Sequence, residues 1–313
     1  MGIDFRQSLI MKKAAIIFIS VLLLASCAAK REVYMFTSFH EPATDGLRML
    51  YSFDAYHWTD LNKVLLKPEV GDKVMRDPSI TQGKDGVFHL VWTSAWTGGK
   101  GFGYADSKDL VHWSQQRLIN VMEDEPTVVN VWAPEVFYDD DNDNFIIVWA
   151  STIPGRFPIG TETETNNHRL YYTVTKDFQT FSKEKLFYDP GFSAIDAEIV
   201  KRAKNDYVLV VKDNTRPNRN IKVAFATSPL GPYGKASDAF TENFTEGPTV
   251  AKTGDNYLIY YDAYREKIFG AASTTDFKTF TNITKLVDVP VGHKHGTIFK
   301  TTKKVLNNLK EQP

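Results

Sequence analysis

From Val33 onward the apolar positions fall in short runs broken by polar turns, and no long window after residue 30 carries a helical period. Val33–Phe39 and Leu47–Phe53 are the first predicted strands. Residues 76–113 show the fullest unit. Pro78–Thr81 leads into the polar turn Gly83-Lys84-Asp85-Gly86, Val87–Thr93 forms a second strand and Gly101–Ala105 a third. Ser107-Lys108-Asp109 then turns the chain toward Trp113 on an outer edge. Four short strands joined by hairpins make one propeller blade. Residues 132–181, 195–233 and 246–280 follow the same plan, with turns at Asp139–Asn144, Lys204-Asn205-Asp206 and Gly254-Asp255-Asn256.

Each unit opens on a related pentapeptide. The five are Arg76-Asp77-Pro78-Ser79-Ile80, Trp132-Ala133-Pro134-Glu135-Val136, Ile195-Asp196-Ala197-Glu198-Ile199, Glu246-Gly247-Pro248-Thr249-Val250 and His295-Gly296-Thr297-Ile298-Phe299. Their first residues stand 56, 63, 51 and 49 positions apart, a period of array or propeller type. A second element, an Asp with an aromatic four positions later, interleaves with them at Asp54, Asp109, Asp177 and Asp276. The stretch Pro229-Leu230-Gly231-Pro232-Tyr233 is its degenerate copy. The fifth unit is split, because its missing strands lie at the N-terminus. The prediction is an all-β chain folded as a single five-bladed propeller over residues 33–300. Its fifth blade is closed by N- and C-terminal strands, and 301–313 is left as a polar tail. Closure removes an exposed sheet edge.

Composition narrows the function. A net charge of −1 gives no footprint for nucleic acid or for an anionic membrane surface. The 13% aromatic content suits short strands. The single cysteine, Cys27, excludes an intrachain disulfide. It follows a basic start at Lys12-Lys13 and an apolar run from Ala14 to Leu24, too short to span a bilayer comfortably. Leu24-Ala25-Ser26-Cys27 resembles a bacterial lipobox. Residues 1–27 are therefore expected to be a lipoprotein signal peptide, with Met11 as the true start and 28–32 as a tether. The mature chain is expected to be a monomer, lipidated at Cys27 and anchored in a bacterial cell envelope.

In a propeller the first strand of each blade lines the central axis. Asp77, Asp196 and Glu246 then converge on one funnel from three blades. Any one of these acids alone reads as an ordinary turn former. Three at equivalent points of a repeat do not, since turns belong at blade rims. Paired carboxylates with room for a water between them are the equipment of an inverting glycosidase.

In combination and in this order, the five pentapeptides resemble glycoside hydrolase family 43 over residues 33–300. The resemblance implies a five-bladed propeller that hydrolyses glycosidic bonds with inversion, acting on arabinosides, xylosides and, in some branches, galactosides. It implies Asp77 as general base, Glu246 as general acid, and Asp196 as the acid that raises the pKa of Glu246 and orients it. The Trp-Met-Asn-Asp-Pro motif of the fructoside-cleaving sister families is absent. Arg76, Trp96, Trp132, Arg265 and His295 are expected to contact sugar. No cofactor is required, though the resemblance leaves room for a calcium on the axis beside His295. Asp139–Asn144 lacks the Gly and Glu of a calcium loop and reads as a hairpin tip. The expected activity is exo-acting, with α-L-arabinofuranosidase ahead of β-xylosidase and β-galactofuranosidase. A non-catalytic glycan-binding propeller is the rival, and the intact acid triad argues against it.

Overall fold

The computed structural model describes residues 32–312, so the expected leader and Cys27 lie outside it. The chain reaches blade I only after laying down three strands for the last blade. In chain order these three are β1 (Glu32–Ser38), β2 (Arg48–Ser52) and β3 (Thr59–Asp60). Counting blades by their inner strands, blade I holds β4 (Arg76–Gln82), β5 (Phe88–Thr93), β6 (Gly101–Ser107) and β7 (Arg117–Asn120). Blade II holds β8 (Trp132–Asp139), β9 (Asn144–Ser151), β10 (Arg169–Thr175) and β11 (Lys185–Tyr188). Blade III holds β12 (Ala194–Ala203), β13 (Asp206–Asp213) and β14 (Asn220–Ala226). Blade IV holds β15 (Thr245–Thr253), β16 (Asn256–Ala263), β17 (Ile268–Thr274) and β18 (Thr281–Asn282). Blade V has the order β19-β1-β2-β3, with β19 (Ile298–Thr302) innermost.

The ring closes as the split repeat predicts. β19 runs antiparallel to β1, pairing Ile298 with Phe36, Phe299 with Met35 and Thr302 with Glu32. Five apolar clusters fill the five gaps between blades. Middle strands feed two gaps at once, because alternate side chains leave a strand on opposite faces. On β9, Ile146 and Val148 pack toward blade III while Ile147 and Trp149 pack toward blade I. On β16, Leu258 and Tyr260 face blade V while Tyr257 and Ile259 face blade III. These strands are buried on both sides, which is why they read as continuous apolar runs.

The Asp-plus-aromatic element is a repeated turn. Asp54 Oδ1 accepts from the backbone N–H of Tyr56 and His57, and Asp109, Asp177 and Asp276 do the same two and three residues on. The residue after each Asp, namely Ala55, Leu110, Phe178 or Phe277, takes a left-handed conformation and is fully buried. A Ser or Thr two residues before the Asp (Ser52, Ser107, Thr175, Thr274) accepts two further N–H groups.

Three expectations need correction. Blade III has three strands, not four. The segment after β14 opens on Pro229 and Pro232 and forms no continuous ladder. It touches β14 only at separated points, such as Gly234 N to Phe225 O and Ser237 N to Val223 O. The tail is not simply polar. β19 continues to Thr302, whose hydroxyl caps α1 (Lys303–Glu311), and Leu306 and Leu309 of α1 are buried in the cluster between blades V and I. Lys63 Nζ donates to the carbonyls of Leu309 and Lys310 at the other end of α1, where the helix dipole favours a cation. Finally, the fifth pentapeptide is displaced by one residue. Val136 N donates to Ser79, Val250 N to Glu198, and Ile298 N to Thr249. Ile298 is therefore the fifth member of its copy, which runs 294–298 and places His295, not Gly296, level with Asp77 and Asp196.

Candidate active site

Each of the inner strands β4, β8, β12 and β15 begins with a break in register. At the break stands a residue with positive φ: Asp77 at 51°, Ala133 at 44°, Asp196 at 49° and Gly247 at 56°. A bulge bends the strand and re-aims one side chain. Here four bulges repeat around the axis and turn their residues toward one end of it. A left-handed non-glycine residue costs of order 1–3 kcal/mol and persists only where its surroundings enforce it. Gly247 has no alternative, because a Cβ would stand 2.0 Å from Cγ of the His295 ring.

The bulges and loops enclose a pocket of about 260 Å³. Asp77, Asp196, Glu246 and His295 stand together in its wall, with Trp96 and Trp132 on one side. The three acids chosen from the sequence do meet. Asp77 Oδ2 accepts from Thr93 Oγ1 at 2.7 Å, and its Oδ1 lies 2.9 Å from His295 Nε2. That second contact is an ion pair off the line of a straight hydrogen bond, and His295 Nδ1 is buried without a protein partner. Asp196 Oδ2 accepts from Gly247 N at 3.0 Å. Glu246 Oε2 lies 2.7 Å from Lys212 Nζ.

These contacts divide the three carboxyls. Burial favours the neutral form of Asp77, but the His295 imidazolium, the Arg76 guanidinium and the Thr93 hydroxyl outweigh it and hold the pKa below the ordinary carboxylate range. His295 responds in kind. Burial disfavours its charge, yet Asp77, Asp196 and Glu246 raise its pKa to about 9. Asp196 is raised, chiefly by burial. Glu246 would also be raised by burial, but Lys212 and His295 prevail and lower it. Asp196 and Glu246 raise one another as like charges, but the net shift of Glu246 is downward because Lys212 and His295 outweigh the neighbouring carboxylates.

Arg76 lines the pocket and is fixed there by Glu41, whose two oxygens lie 2.7 and 2.9 Å from Nη1. Its guanidinium faces the rings of Trp96 and Phe39. Trp132 donates Nε1–H to Trp96 O, and the two rings stand 4.8 Å apart. Trp96 remains 56% exposed while lining the pocket. Arg265 does not join them. It sits on the exposed turn after β16 with its guanidinium over the Phe244 ring, and it lines neither this pocket nor the groove beside it. The sequence reading passed over Lys212, Arg219, Asn166 and Asn214, which complete the wall. The signal for Lys212 was a lysine ending the apolar run Tyr207–Val211, where a charge is rarely buried without a partner.

A second cavity, an open groove of about 950 Å³, shares Arg76, Glu246 and His295 with the pocket. It continues along Tyr264, Ile268 and the segment 287–294 between blades IV and V. Glu246 therefore stands at the seam between a small pocket and a long groove.

Calcium takes oxygen ligands, so a calcium on the axis beside His295 would draw on the carboxylates of Glu246 and Asp262 rather than on the imidazole. Atoms of Glu246, Asp262 and His295 lie within 4.8 Å of one another. Lys212, Lys294 and Asp77 already balance their charges. Asp139–Asn144 is a hairpin tip, as expected: Asp139 pairs with Asn144, and Lys201 neutralises Asp140 and Asp141.

The family model described as "Probable glycosyl hydrolase domain" matches residues 30–307. The chain belongs to these family 43-related glycosyl hydrolases. Solved family 43 enzymes share its propeller. A thermostable family-43 glycoside hydrolase superposes with a TM-score of 0.55 at 17% identity, over 71% of this chain and 78% of the other. An alpha-L-arabinofuranosidase from Clostridium thermocellum ATCC 27405 gives 0.56 at 15% identity, over 80% and 84%. A family 43 beta-1,3-galactosidase gives 0.53 at 12% identity, over 70% and 79%. Identities this low carry the fold alone. An alpha-L-arabinofuranosidase of Bifidobacterium longum subsp. longum is 25% identical over 109 residues, which is 31% of this chain. The match spans about a tenth of that relative's length, 10%.

Proposed function

We propose that the chain is an exo-acting, inverting glycosidase that removes one terminal pentofuranosyl unit, with an α-L-arabinofuranoside as the first substrate to test. The observation that carries this reading is the placing of Asp77, Asp196 and Glu246 from three blades around a pocket of about 260 Å³. That is smaller than the ~300–1,000 Å³ of sites that enclose drug-sized ligands, and it suits a single sugar better than a chain.

In this reading Asp77, held ionised, takes a proton from a water whose oxygen attacks the anomeric carbon. The bond from that carbon to the leaving oxygen breaks, and Glu246 supplies a proton to the departing oxygen. Asp196 accepts the Gly247 N–H and so fixes the backbone beside Glu246. Trp96 offers a ring to the sugar face, Trp132 braces it, and Arg76 and His295 supply donors. The groove on the far side of Glu246 receives the leaving group. A panel of aryl glycosides tests the reading. The α-L-arabinofuranoside should be cleaved fastest, and preference for the β-xyloside or β-galactofuranoside would reassign the sugar. The lipid anchor at Cys27 and the envelope location are part of the same proposal, supported by the leader sequence. Fatty-acid labelling should mark the wild type and not Cys27→Ser.

A further inference from the structure

Lys212 is the least expected charge in the pocket. It is 2% exposed, and the preceding residues of its strand, Tyr207 to Val211, are wholly apolar. Its Nζ lies 2.7 Å from Glu246 Oε2 and 5.3 Å from the centre of the Tyr264 ring. Other charges act on Glu246 from the elements around it: Arg76 and Asp77 from β4, Asp196 from β12, Asp262 from β16, and His295 from the segment before β19, where Lys294 pairs with Asp262. Most of these are engaged elsewhere. Arg76 is held by Glu41, His295 by Asp77, and Lys294 by Asp262. Among the described residues Glu246 is the one carboxylate within ion-pair distance of Lys212.

We propose that Lys212 is a positioning residue that holds Glu246 as a carboxylate in the free enzyme and stabilises the carboxylate again once its proton has passed to the leaving oxygen. The proposal rests on the reading of Glu246 as proton donor. Two opposed effects follow. Fewer molecules carry the proton as pH rises, but the proton that is carried belongs to a stronger acid. Lys212 thereby trades alkaline range for acid strength. That trade favours leaving groups that need full protonation, such as the alkoxide of a second sugar, over phenolates that depart unaided. The lowered pKa of Glu246 and the raised pKa of Lys212 agree with such a pair.

The test is the pH dependence of kcat/KM for the full-length chain, with an alkyl and a 4-nitrophenyl glycoside of the same sugar. In Lys212→Met the alkaline limb should move up by about one pH unit or more, the scale of losing an opposite charge at this distance. Its low-pH plateau should fall about tenfold or more for the alkyl substrate and less for the nitrophenyl one. Lys212→Arg should keep the wild-type limb. A folded Lys212→Met enzyme with an unmoved limb overturns the proposal, because a merely structural lysine would lower activity at all pH values alike. If Lys212→Met does not fold, carbon-13 NMR of the wild type decides. The Glu246 carboxyl, assigned by its loss in Glu246→Gln, should titrate below ordinary glutamates, and titration at or above them overturns the proposal. Glu246→Gln with the same two substrates checks the underlying reading separately: equal losses on both would remove Glu246 as the acid.

Discussion

His295 Nε2 stands 2.9 Å from Asp77 Oδ1, across the seam where the last blade closes on the first. The proposed base is therefore held by a residue almost at the end of the chain, and ring closure and catalysis share one contact. Burial alone would raise the Asp77 pKa, and the His295 cation opposes that most strongly. Replacing His295 by Gln should shift the acid limb of kcat/KM to higher pH while the alkaline limb moves less. A pH–rate profile of the variant checks this, and an unmoved acid limb would remove His295 from the role.

The C-terminal helix should matter for stability. Leu306 and Leu309 fill the gap between blades V and I beside Val33, Met35 and Leu47. Leu→Ala at a buried site costs about 2–5 kcal/mol, so Leu309→Ala should lower the unfolding free energy by that scale and bring the urea midpoint down with it. Deleting 303–313 should cost more than Leu309→Ala alone. A deletion that leaves the midpoint in place would show the helix to be dispensable.

Stability should also fall as pH rises through the neutral range. Glu135 and Glu198 face the axis below the pocket, where burial raises the first to about 7 and raises the second well above its ordinary value. A carboxyl with a raised folded pKa binds its proton more tightly folded than unfolded. Its stabilising contribution is complete below the unfolded value near 4.5 and is lost as pH climbs through about 7. Melting temperature should therefore drop between pH 5 and pH 8, and the drop should be smaller in Glu135→Gln. Equal drops in both proteins would contradict this.

Trp96 should act on binding more than on turnover. It is half exposed, with Arg76 over its ring and Trp132 beside it. Stacking contacts of this kind are worth about 0.5–1.5 kcal/mol, so Trp96→Ala should raise KM roughly 2–12-fold with kcat little changed. Steady-state kinetics on an aryl glycoside separates the two parameters.

Much of this was legible in the chain before folding. Asp77, Asp196 and Glu246 announced themselves because each opens an inner strand, and the split fifth unit foretold how β19 meets β1. What escaped notice depended on contacts distant in sequence. Nothing local marks the bulges that turn Asp77 and Asp196 inward, so the fifth copy was misaligned by one residue and His295 lost its place beside them. α1 carries only Val305, Leu306 and Leu309 among lysines and asparagines, too short a stripe to stand out from a polar tail. Arg265 sits on an exposed hairpin turn over Phe244, and Lys212 gains its meaning only from Glu246, 34 residues away on another blade.

The central claim is that Asp77 activates water for attack with inversion. Proton NMR of the sugar first released, recorded in the opening minutes of hydrolysis for the wild type and for Asp77→Asn, tests it most directly. The wild type should first release the anomer opposite to the substrate's, and Asp77→Asn should release it about 10²–10⁴-fold more slowly. A first product that keeps the substrate's configuration, or an Asp77→Asn enzyme that turns over at the wild-type rate, would contradict it.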